Sequence, residues 1–369
     1  MTDEMTISPL PPRANPELFG HEAAEEAMLA SALSGRMAHA WLIGGPQGIG
    51  KATLAYRFAR FILSGAVGNG AIPTSLHVNP EHPVFRRIRA GGHADLLTIE
   101  RPWHKDDEKK DEGDRRRRVG DLPVDEVRKI APFLHLTAAE GGWRVVVVDE
   151  AERMSRSAAN AILKVLEEPP PRSLLLIVAN NPGRLLPTIR SRCRKLTLSP
   201  LPESEVTGYL ARHAPGLSEG DRLAIARLSE GSIGRAVALV QEGGLNLYRV
   251  LFELLDDLPR LDIAAVHRLG DQLAPPAAEQ AYRTFAGLLE QWLTRLIRSA
   301  AQGGPIAEVV PGEADLMRRL AGSGRPGLDR WVEVWEKTHR LFDRADHANL
   351  DRKQVLLQVL LGLEAAARA

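Results

Sequence analysis

The stretch HAWLIGGPQGIGKA, His39 to Ala52, constrains this chain more than any other: an apolar run passes through a glycine-rich turn into the helically periodic segment KATLAYRFARFILSG. Strand, glycine loop and helix in that order are what a phosphate-binding turn requires. Glycines at Gly45, Gly48 and Gly50 let backbone N–H groups turn inward, the helix N-terminus adds its positive end, and Lys51 is placed to neutralise phosphate oxygens. The next position ordinarily carries a hydroxyl that ligates Mg²⁺; here it is Ala52, which has no ligating atom. Thr53 offers a neighbouring hydroxyl, but one residue on along a helix it points about a hundred degrees away. Nucleotide binding is expected at Gly45, Gly48, Gly50, Lys51 and Thr53, with hydrolysis crippled. A glycine turn that merely packs is the bland alternative, and the flanking strand and helix weigh against it.

The second half of such a site is VVVVDEA, Val145 to Ala151. An apolar run of this kind predicts a buried strand that delivers Asp149 to its carboxyl end, where it can hold Mg²⁺ through water while Glu150 polarises the attacking water. The same two acids would equally cap the next helix. SLLLIVANN reads as another buried strand, and helices are expected over His21 to Leu33, over LPVDEVRKIAPFLHLT as one element, and over SAANAILKVLEEPPP up to its prolines. Apolar strands alternating with helices argue a parallel sheet covered on both faces.

The strand signal stops at Pro200. LPESEVTGYLARHA, SEGDRLAIARLSE and GSIGRAVALVQEG read as short amphipathic helices, and from about Leu247 the helical segments lengthen. The expected division is a flexible lead-in over 1–15, an α/β nucleotide-binding domain over 16–199, a small helical lid over 200–245 and an all-α domain over 246–369. The run WHKDDEKKDEGDRRRR marks a charged, solvated insertion at 103–118.

Charge and cysteine usage narrow the class. Lys and Arg number 48 against 47 Asp and Glu, a net charge of +1, so any DNA contact must come from a local patch. Cys193 is the single cysteine, which excludes an internal disulfide framework and fits a reducing compartment. No stretch reaches the apolar length of a membrane span, and the acidic, proline-rich start is unlike a signal peptide. A cytoplasmic protein with no membrane partner is expected.

HAWLIGGPQGIGK, VVVVDEAERMSRSAANAILKVLEEPPPRSLLLIVANN and LLPTIRSRCRK, in this order and spacing, resemble the AAA+ clamp-loader subunits of bacterial DNA polymerase III, and within that family its delta-prime branch. The resemblance covers roughly residues 16–240 motif by motif, and NLDRKQVLLQVLL is similar to the family's last helix. It implies an AAA+ fold with a helical lid and a helical collar that joins neighbouring subunits. It also implies that Asn180 is the polar sensor of the γ-phosphate, that Arg192 is an arginine finger reaching in trans into a neighbour's ATP site, and that Arg235 is a second sensor over the nucleotide. A rigid guanidinium suits both arginine roles, because it stabilises charge spread over a transferring phosphoryl group.

Two departures qualify the resemblance. Related subunits carry four cysteines that bind a structural zinc between the phosphate loop and the acidic strand; this chain offers only His77, His82 and His93 there, so no zinc or other structural metal is expected. Ala52 separates the chain from the hydrolysing motor subunits. The resemblance therefore implies a stator: a subunit that binds ATP or ADP with Mg²⁺ weakly or without turnover, partners the gamma/tau motors and delta in a hetero-pentamer, and meets the sliding clamp and primer-template DNA through that complex. Any DNA polymerase (nucleotidyltransferase) activity belongs to the holoenzyme. Two rivals stay open: a self-sufficient motor ATPase of the gamma/tau kind, and a stand-alone DNA-binding module built on Arg115 to Arg118.

Overall fold

The computed structural model describes residues 10–67, 72–103, 120–140, 142–304, 306–322, 325–348 and 350–368, and these form two compact units. The charged run at 103–118 falls outside them apart from Trp103.

The first unit, Ser8–Glu205 with Ser232–Gly234, is built on five parallel strands. They are β1 (Ala40–Gly44), β2 (Leu96–Ile99), β3 (Arg144–Val148), β4 (Ser173–Ala179) and β5 (Arg194–Thr197), in the spatial order β2-β3-β4-β1-β5. Every residue of β1, β3 and β4 is buried, as expected where both faces of a parallel sheet are covered. Successive side chains sort by period two. Trp41, Ile43, Val145, Val147, Leu176 and Val178 enter one core with α1 (Glu22–Leu33), α2 (Lys51–Leu63) and α3 (Pro83–Arg89). Leu42, Val146, Val148, Leu175 and Ile177 enter the other. That second core takes α4 (Val124–Arg128), α5 (Ile130–His135), α6 (Arg156–Glu167) and α7 (Pro187–Arg192).

LPVDEVRKIAPFLHLT therefore forms two short helices rather than the single helix its periodicity predicts. Pro132 lacks an N–H and its ring crowds the carbonyl four residues back, which breaks the ladder at Lys129. Helix α6 starts as its sequence predicts, with Ser155 Oγ accepting from the Ala158 N–H at 3.2 Å. Near the beginning of the unit, Ala14 is buried, and the Arg60 guanidinium donates to the carbonyls of Arg13 (3.1 Å) and Asn15 (2.8 Å).

The second unit, Val206–Gly231 and Arg235–Ala369, holds no strand among its described residues. Its helices are α8 (Glu203–His213), α9 (Glu219–Ser229), α10 (Ile233–Gln241), α11 (Gly244–Asp256), α12 (Ile263–Leu273), α13 (Glu279–Gln302), α14 (Glu313–Ala321), α15 (Arg325–Ala348) and α16 (Arg352–Arg368). Trp292 and Trp331 are fully buried, the indole of Trp331 donating to Leu320 O at 2.7 Å, so both are core of this unit. Trp335 is half-buried and stacks on His339. Between α11, α13 and α14 lies a buried polar knot. Glu313, 0% exposed, takes two bonds from Arg295 (2.7 and 3.1 Å), one from the Val309 N–H (2.7 Å) and one from Tyr248 Oη. No helix among the described residues is long and apolar enough to cross a membrane.

Candidate nucleotide site

The glycine loop leaves the carboxyl end of β1 and closes on the first turn of α2. Gly45, Gly48 and Gly50 all take positive φ, at 145°, 76° and 107°. At Gly45 a Cβ would stand 2.4 Å from Leu198 O, so only glycine fits there. Three successive carbonyls are held from outside the loop: Gln47 O by Ser232 Oγ (3.0 Å), Gly48 O by the Gly234 N–H (2.8 Å) and Ile49 O by His21 Nε2 (2.7 Å). A trans peptide points each following N–H the opposite way. The amides of Gly48, Ile49 and Gly50 are thereby turned into the hollow of the loop, a concave row of donors that fits a phosphate.

Lys51, the first residue of α2, is 4% exposed and donates to Pro46 O (2.5 Å) and to Asn180 Oδ1 (2.8 Å). Two residues far apart in sequence, the loop lysine and Asn180 just after β4, thus meet directly. Burial lowers the lysine's pKa, and the charges of Asp149, Glu152 and Glu150 oppose that shift. Ala52 is half-buried, whereas Thr53 is buried at 8% exposure on the next position of α2.

Asp149 follows β3. Its N–H donates to Ile99 O at 2.9 Å, its Oδ1 accepts from the Glu150 N–H at 2.9 Å, and burial raises its pKa to about 6. Glu150 adopts a left-handed backbone (φ 47°), a conformation that costs a residue bearing a Cβ about 1–2 kcal/mol. Its carboxylate is gripped by Arg101, through Nε at 2.7 Å and Nη2 at 2.9 Å. Glu152 reaches back to the Asn180 N–H at 3.1 Å. His21, Arg101, Glu152 and Ser232 went unnoticed in the sequence. None of the four carried a local signal.

Arg192, the last residue of α7, donates to Thr188 O (3.0 Å) and to Glu167 Oε1 (2.7 Å), with 35% of its side chain exposed. The neighbouring Cys193 is buried in the core, and burial pushes its thiol up to about 11. Arg235 belongs to the second unit, where Gln291 Oε1 (2.6 Å) and Glu230 Oε2 (3.3 Å) accept from it and burial lowers its pKa. Among the histidines, His82 Nδ1 accepts from the Val84 N–H at 3.2 Å and His93 Nδ1 from the Asp95 N–H at 3.2 Å.

A phosphate loop after β1, acids after β3, a polar residue after β4 and the order β2-β3-β4-β1-β5 define the first unit as an α/β phosphate-loop domain of the AAA+ class. Residues 20–202 match the family described as DNA polymerase III, delta subunit, and through them the first unit belongs to that family. The delta' subunit of Escherichia coli (strain K12) is 35% identical over 217 residues, 58% of this chain and 58% of that protein. Its counterpart from Pseudomonas aeruginosa is 35% identical over 235 residues, 60% of this chain and 65% of that protein. The DNA polymerase III gamma/tau subunit of Mycobacterium bovis is 26% identical over 348 residues, 88% of this chain and 57% of that protein. The chain spans less than two thirds of the length of each of these relatives.

Proposed function

We propose that this chain is a delta-prime-like subunit of a cytoplasmic DNA polymerase III clamp loader, acting as a stator in the ATP-dependent loading of the sliding clamp onto primed DNA. The observation that carries the stator reading is Ala52: a well-formed phosphate cradle with a methyl where a metal-ligating oxygen would stand. The amides of Gly48, Ile49 and Gly50, with Lys51 and Asn180, would hold the phosphates of ATP or ADP, and Asp149 a Mg²⁺ ion. The bound ion would supply charge neutralisation at the phosphates. Glu150, occupied by Arg101, is a poor base in this arrangement. Turnover by the chain itself is expected to be slow or nil.

In this reading Arg192 completes the ATP site of an adjoining motor subunit, residues 200–245 are the lid with Arg235 as second sensor, and residues 246–369 form the collar joined to gamma/tau and delta. The motor alternative draws on the retained Lys51, Asp149, Glu150 and Asn180 and on the gamma/tau similarity. The two are separated by purifying the chain and measuring ATP turnover alone, then reconstituting it with motor subunits, delta, clamp and primed DNA. The stator reading expects negligible turnover alone and clamp loading that fails when this chain is omitted. Robust turnover by the isolated chain overturns it.

A further inference from the structure

The three donors on the outside of the glycine loop are not equivalent. Ser232 and Gly234 come from one short segment, whereas His21 reaches the loop independently from the start of α1. Its position is tightly determined. Gly20 has φ 64° and sits where a Cβ would lie 2.5 Å from Leu201 Cδ2, and Leu18 Cδ1 stands 3.0 Å from the Cβ site of Gly50. His21 is 8% exposed. A carbonyl oxygen only accepts, so Nε2 carries the proton in this contact. Among the described residues, no backbone carbonyl accepts from the N–H of Gly48 or Gly50.

We infer that His21 is a positioning residue of the phosphate loop: its Nε2–H grips Ile49 O and so fixes the Ile49–Gly50 peptide plane with the Gly50 N–H aimed at an incoming phosphate oxygen. Presetting that plane removes part of the ordering cost of binding. Without the grip the peptide is free to rotate, because the glycine at 50 offers little steric resistance. The ligand named here rests on the nucleotide reading above; the grip itself does not.

The test uses the full chain with His21→Ala, His21→Phe, which keeps a ring but no donor, and His21→Gln, whose amide can donate to Ile49 O. Amide hydrogen exchange over the loop is measured without ligand, and affinity is measured by titration with a fluorescent ADP. Loss of one such hydrogen bond is expected to speed exchange at Gly50 and weaken ADP by about tenfold each in the Ala and Phe variants, with Gln recovering most of both. If the wild type binds ADP and neither exchange nor affinity moves in the Phe variant, the inference is overturned. If the wild type binds no ADP while the Phe variant still loosens Gly50, the grip stands and the nucleotide reading falls.

Discussion

Restoring an oxygen at position 52 is not expected to convert this chain into an engine, because a second block sits on Glu150. Arg101 holds both carboxylate oxygens, at 2.7 and 2.9 Å, with the two side chains 18% and 25% exposed. Hydrogen bonds between charged groups contribute about 1.5–3 kcal/mol each, and partial exposure pulls a pair back toward surface values, so roughly 2–3 kcal/mol keeps Glu150 occupied. At about 1.4 kcal/mol per decade, releasing it should raise turnover roughly 30- to 150-fold. Ala52→Thr alone is therefore expected to tighten Mg²⁺-dependent ADP binding with little turnover, and Arg101→Ala alone to change nothing measurable. The double variant should exceed Ala52→Thr by that factor. Phosphate release from the purified chains reads the ratio, and because all variants lack a neighbour's arginine equally, that shortfall cancels. Should Ala52→Thr alone equal the double variant, Arg101 is no block; should neither raise turnover, Glu150 is not a base.

Three further outcomes follow from the same geometry. Arg192→Ala should leave the melting temperature unchanged, since an exposed pair such as Arg192–Glu167 contributes about 0–1 kcal/mol, while lowering the ATPase of the reconstituted complex by order 10³; an unchanged rate removes Arg192 from the mechanism. Burial lifts the Asp149 carboxyl from 3.8 to about 6, so it is charged above that pH and protonated below it. The Mg²⁺ enhancement of ADP affinity should accordingly be present at pH 7.5 and fade as pH falls through about 6, and Asp149→Asn should abolish that dependence; a flat profile in the wild type excludes Asp149 as the metal's partner. Finally, Glu313→Ala leaves the Arg295 guanidinium, 15% exposed, without its counter-charge and should cost about 3–5 kcal/mol, read as a lower midpoint in chemical denaturation. A loss under about 1 kcal/mol would show the knot to be dispensable.

Strands β1, β3 and β4 were legible because each is a continuous apolar run buried on both faces, and the glycine loop was legible because its residues are contiguous. β2 and β5 were not. LLTI is only four residues long and half-buried over most of its length, and RKLT is an edge strand whose basic side chains mask it. Arg194 belongs there only because it pairs with Trp41 across the sheet and lies 4.7 Å over that indole ring, a long-range fact absent from local pattern. The site divides the same way. Lys51, Asp149 and Asn180 stood out as motif members, whereas the Arg101–Glu150 grip and the His21–Ile49 contact join residues 49 and 28 positions apart and have no local signature. Cooperation between distant groups is what the fold adds to the motif.

Binding and turnover are separable in such a pocket, and in the proposed reading they separate along physical lines. Holding phosphates needs only amides of fixed direction and a buried cation, and the loop meets both needs through carbonyls gripped from outside and a lysine tied to Asn180. Turnover needs a metal held by more than one protein oxygen and a carboxylate free to polarise water. In the proposed reading Ala52 removes the first, and the left-handed backbone of Glu150 together with Arg101 removes the second. A conformation costing about 1–2 kcal/mol persists only if its surroundings offset that cost, and the bidentate guanidinium is strong enough to do so. The ion pair and the left-handed backbone of Glu150 are thus mutually consistent. Arg192 has no such engagement with the pocket: its partners are Thr188 O and Glu167, and it remains one-third exposed at the end of a helix anchored by Ile189 and Cys193. In the proposed reading, a chain whose own Glu150 is occupied while Arg192 stands at the end of an anchored helix is arranged to serve a site other than its own.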